Sequence, residues 1–159
     1  MTRAMMGPLV SAWTLTGVAA LFAWAIYRLG ARGIATIRAG LDAGEWTVLV
    51  LLTAAFVYGE GFLALDRRWV PSVVERARRV RDDRRLVVRV LAPLYGLSLV
   101  GTSRRELARG WLGTAAIVVA VVLVAGLPAP WRGIVDFSVA VALVWGLVAI
   151  LRSVPAAVA

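Results

Sequence analysis

The chain has 159 residues, 61% of them hydrophobic, with 18 basic side chains, all arginine, nine acidic ones and a net charge of +9. A soluble domain is typically about 45 to 50% apolar, so at a mean hydropathy of +0.83 the apolar side chains exceed what so small a core can hide, and lipid must cover the surplus. His, Cys, Lys, Asn and Gln are all absent, which excludes thiol nucleophiles, disulfides, Ser-His-Asp triads, Schiff bases, P-loops and the usual haem and zinc ligands; no catalytic residue, cofactor or metal is expected.

Four apolar runs, at 9–29, 46–65, 111–127 and 134–151, approach or exceed the roughly 17 to 25 residues a transmembrane helix requires. They predict an all-α fold, a polytopic helical membrane bundle forming a single domain, with helices at about 9–29, 43–65, 104–127 and 132–152. In the first run, Ala23-Trp24-Ala25 has the look of a signal-peptidase site. A signal peptide has an apolar centre of about 7 to 15 residues, which this run outlasts, so it reads as a membrane anchor.

Asp42-x-x-Glu45 has the spacing of a capping box and places the start of the second helix at Ala43. Near the end of that span stands Glu60, between Gly59 and Gly61. Its position five residues before Leu65 puts the carboxylate roughly 7 Å inside the boundary, at about 1.5 Å per residue. Trp46, Thr53 and Glu60 recur every seventh residue, a spacing that predicts one helix face turned toward the bundle. An intramembrane acid is costly unless paired or hydrated, and marks ion pathways. Two readings follow: a proton or ion site, or a structural pair with an arginine, for which Arg109 is the candidate.

Residues 66–103 form a basic connection. From 66 to 110 there are twelve Arg against five acids. Ser72-x-x-Glu75 predicts a helix start, and Val73, Val74, Ala77, Val80, Val87, Val88 and Leu91 then share one face opposite Glu75, Arg78, Arg79, Asp82, Arg85 and Arg89. That is the pattern of an amphipathic interfacial helix. Arg78, Arg79, Arg81, Arg84, Arg85 and Arg89 are the candidate contacts for anionic lipid, and Glu75–Arg79 and Arg79–Asp83 are candidate local pairs at helical spacing. The stretch 86–101, interrupted by Arg89 and Pro93, is expected to be shallow or re-entrant rather than a fifth crossing. Nucleic acid is not expected as a partner, since neither a recognition fold nor stacking aromatics accompany the charge.

Ser103-x-x-Glu106 marks the start of the third helix. On the fourth, Asp136 suits the positive end of the helix dipole, and Ser138, Ala142 and Gly146 make a small-residue packing seam at four-residue intervals. Trp46, Trp69, Trp111 and Trp131 sit at span ends, as interfacial anchors do.

With the N-terminus inside, fourteen arginines lie inside and four outside, so the positive-inside rule favours cytoplasmic termini. The GC-rich codons of Arg, Ala, Val and Gly point to a bacterial cytoplasmic membrane. Function is expected to be that of a noncatalytic subunit or accessory protein whose basic inner surface contacts anionic lipid, a membrane-protein partner or another copy. The alternatives are an oligomeric proton-linked transporter or channel using Glu60, and a lipid-modifying enzyme with Tyr58, Glu60 and Asp66 at headgroup level.

Overall fold

The protein is described here from a computed structural model covering residues 3–81, 86–100 and 103–158. It is helical, with no strand among the described residues: α1 Arg3–Ala39, α2 Ala43–Phe56, a π-helical segment Val57–Trp69, α3 Val70–Arg81, α4 Leu86–Val90, α5 Ala92–Gly96, α6 Arg104–Ala125 and α7 Trp131–Val158. Four of these helices, counting α2 through α3 as one, are long and apolar enough to cross a membrane. The chain is an integral membrane protein of the helical-bundle class.

Local chemistry sets the helix boundaries. Gly40, at φ +98°, takes the left-handed conformation that closes α1. Asp42 and Glu45 satisfy each other's backbone N–H groups at the start of α2, and Ser103 and Glu106 do the same for α6. The box expected at Ser72 does not form. Its hydroxyl donates to the Trp69 carbonyl at 2.7 Å, because α3 is not a new helix but the continuation of the second span through the π-helical segment. In that segment the Val70 N–H reaches back five residues to the Leu65 carbonyl, the wider turn of a π-helix.

α7 is the centre of the bundle, with 44% of its most apolar stretch buried, while α6 has none buried. α1 runs antiparallel to α7 in the most extensive contact of the fold. Glycines allow it: a Cβ on Gly33 would meet the Phe137 backbone at 2.8 Å, one on Gly30 would touch Ala140, and one on Gly133 would strike Thr36. α2 and the π-helical segment cover the other side of α7, where Thr53 meets Ser138 and Gly61 meets Ala142. α6 touches its surroundings mainly through its first turns, where Gly110 packs on Ser98, and beyond Thr114 nearly every side chain is exposed.

These contacts define levels along the bundle, and they show that the first and second apolar runs are out of step. Gly146 lies between Phe22 and Leu65, so the end of the second run is level with the middle of the first. Ser11 donates to the Ala77 carbonyl at 3.3 Å, eleven residues and therefore about 16 Å further along α1. One side of the early turns of α1 packs on protein, while Leu9 and Trp13 on the other stay exposed. Leu15 and Val18 share a core with Val70, Val73, Ala77 and Ile150. The stripe expected to lie on lipid is thus turned inward: Val73, Ala77, Val80 and Val88 are buried, and only Val87 of the group is largely exposed. α4 and α5, five residues each, fold back over this region, with Pro93 against Gly17 and Gly96 against Thr14.

If glycine contact holds α1 on α7, Gly33→Leu should lower the melting temperature in mild detergent by several degrees, in line with an overpacking cost of about 1 to 3 kcal/mol. Gly113→Leu, where a new Cβ meets nothing within 4 Å, should leave it unchanged in the same assay.

Candidate functional site

Among the described residues, three groups of polar side chains in or beside the apolar helices bear on function. The first crosses the bundle. Arg32 of α1 donates to Asp136 of α7 at 3.3 Å, and the aspartate side chain is only 4% exposed against 42% for the arginine. Asp136 lies in the second turn of α7 and so also benefits from the positive helix end. Nearby, Thr53 and Ser138 share a hydroxyl hydrogen bond of 3.0 Å, and Ser138 also donates to the Ile134 carbonyl. Ser138, Ala142 and Gly146 all face the second long helix, at Thr53, Gly61 and Leu65. These groups are engaged with one another, and their role is to join α1, α2 and α7.

The second group surrounds the π-helical segment. Trp145 donates to Asp66 at 3.3 Å and meets Phe62 edge to face, Tyr58 stacks on Phe62, and the Arg67 guanidinium sits 4.5 Å over the Phe62 ring. Gly61 is buried against α7, but Glu60 beside it points outward and is exposed, and Gly59 also faces open space. The face expected from the seven-residue spacing therefore breaks at the third member: Thr53 faces α7 and Glu60 does not. Residues in a π-helix advance by less rotation than in an α-helix, so the spacing rule fails once the chain passes Val57. Nor does Glu60 meet Arg109. Both are exposed, and neither makes an ion pair among the described residues.

The third group is the arginine-rich end. Arg76 is half-buried and donates to the Gly96 carbonyl at 2.8 Å, tying α3 to α5. Glu75 and Arg79 form the expected pair at 3.4 Å. Arg78 is exposed and also engaged. The side chains of Arg81, Arg84, Arg85 and Arg89, together with Asp82 and Asp83, lie outside the described residues, and with them the Arg79–Asp83 pairing. Of the described acids here, Asp66 accepts from Trp145, Glu75 pairs with Arg79 and Glu106 accepts from Ser103. Arg68, Arg104, Arg105 and Arg109 are exposed and make no ion pair among the described residues.

The pairing that sequence reasoning missed is Arg32 with Asp136, whose partners are 104 residues apart. Both fall inside helix ends, but only the antiparallel packing of α1 on α7 brings them together. Among the described residues, no three His, Cys, Asp or Glu side chains cluster as metal ligands. No known protein family, curated protein or solved structure matches the chain.

The asymmetry of exposure in the Arg32–Asp136 pair has an energetic consequence. Removing the arginine strands a buried carboxylate, whereas removing the carboxylate leaves an arginine that can turn outward. Arg32→Leu should therefore destabilise the protein by about 1 to 3 kcal/mol, more than Asp136→Asn does. The double variant should recover part of the loss, as read from thermal unfolding in detergent.

Proposed function

We propose that this chain is a noncatalytic subunit or accessory protein of a bacterial cytoplasmic membrane, both termini in the cytosol, whose arginine-rich end contacts anionic phospholipid. The observation that carries the reading is the surplus of exposed guanidinium groups that make no ion pair among the described residues. Arg68, Arg104, Arg105 and Arg109 are exposed while the neighbouring described acids are engaged elsewhere. A guanidinium group beside an anionic surface gains about 1 kcal/mol, and it binds phosphate oxygens in a planar two-point geometry. The orientation is supported by the arginine imbalance across the spans, and the antiparallel course of α1 and α7 brings the two chain ends to one side of the bundle.

Two experiments test this reading. The chain lacks cysteine, so single cysteines introduced near the two ends report topology directly. Both should be protected from an impermeant thiol reagent in intact cells and labelled after lysis, and labelling of either end in intact cells would overturn the orientation. Replacing Arg68, Arg104, Arg105 and Arg109 together by Gln should strip co-purifying phosphatidylglycerol or cardiolipin, measured by native mass spectrometry. The loss expected is roughly fivefold in affinity for each arginine in contact. Unchanged lipid occupancy would remove the lipid contact from the proposal.

A further inference from the structure

Two opposite charges are left over in the middle of the bundle. Arg28 on α1 and Glu60 on the π-helical segment are both exposed, and neither forms an ion pair among the described residues. Gly30 packs on Ala140, and Gly61 packs on both Ala142 and Trp145. Because α1 runs antiparallel to α7, Arg28 lies two residues beyond Gly30 in the direction of Ala142, so Arg28 and Glu60 stand within about one helical turn of the same depth. That depth is about 9 Å along α1 from the layer of Phe22 and about 12 Å from that of Thr36, at about 1.5 Å per residue. Charges there are costly in hydrocarbon unless paired.

The surfaces around the two charges also match. Arg28 is two residues from Gly30, about 200° around the helix, and so points away from α7. On the flank of α1 between Arg28 and the α7 contact lies a shallow groove of about 470 Å³, lined by Tyr27, Gly30, Ala31, Ile34, Ala35 and Arg38 among others. Ala31 and Ala35 follow Arg28 at three and seven residues and let a second helix come close. On the other surface Gly59, next to Glu60, has open space where its Cβ would stand. One surface has a cation beside a small-residue groove, and the other has an anion beside an unoccupied glycine.

We propose that copies of this chain associate within the bilayer, α1 of one against the π-helical segment of the next, with Arg28 of each chain paired to Glu60 of its neighbour. The opposite charges at matching depth are what a second copy as occupant requires. Rotation about the membrane normal leaves depth unchanged, so a cyclic assembly can pair two complementary sites of one chain only if they lie at one level. The pairing uses residues on a different part of the molecule from the lipid-contacting arginines and goes beyond that reading.

The test uses full-length chains carrying two different tags, reconstituted in liposomes and read by co-purification and by cross-linking of Ala31→Cys with Gly59→Cys. The unsubstituted chains should associate and cross-link. Arg28→Glu alone and Glu60→Arg alone should each lose association at least tenfold, because every contact then brings like charges together. Mixing the two single variants should restore it, since one chain now offers two acids and the other two bases. That rescue also shows that both variants are folded. Failure of the unsubstituted chains to associate, undiminished association of the single variants, or recovery in the double variant but not in the mixture would each overturn the proposal, the last by showing that the pair closes within one chain.

Discussion

Close approach of α1 to α7 is the constraint on which the rest of the bundle depends, and its physical basis differs from that of a soluble core. Lipid tails are as apolar as leucine, so burying one apolar helix against another gains little by the hydrophobic effect; association rests on van der Waals contact and a few hydrogen bonds. Both need short distances. Gly30, Gly33 and Gly133 remove the side chains that would hold the helices apart, and Ser138 and Gly146 do the same where α7 meets the second long helix. The Arg32–Asp136 and Thr53–Ser138 bonds then form across gaps already made narrow.

At one end the fold follows different rules. The early turns of α1, with α3 and α5, enclose Leu15, Val18, Val73, Ala77 and Gly96, while α3 presents arginines on its other side. α3 thus has a buried stripe and a charged exterior, while the outer side of α1 at this end keeps exposed apolar residues such as Leu9 and Trp13. Lipid and protein core demand the same side chains, so an apolar run records burial without saying in what.

That ambiguity marks the limit of what could be read from the residues. The four long helices and the capping boxes at Asp42 and Ser103 were legible because both are local signals, the one of composition and the other of residues three apart. The stagger between the first two runs was not, because no window of hydropathy carries the register between helices. The outward turn of Glu60 was hidden for another reason: the seven-residue rule presumes α-helical geometry, and the backbone leaves it at Val57. The Ser72 box had the right letters, but the helix through it does not begin there. Arg32 and Asp136 could not be matched without knowing that α1 and α7 are antiparallel neighbours.

α6 stands at the opposite extreme from α7. Its most apolar stretch buries nothing, so its free energy is set residue by residue by transfer between water and hydrocarbon, without reference to the shape of any neighbour. Within one copy of the chain, the part of α6 beyond Thr114 is constrained by hydrophobicity and length, whereas α7 needs particular small residues at particular turns. Sequence drift within this one protein should run fast in the first helix of the closing hairpin and slow in the second.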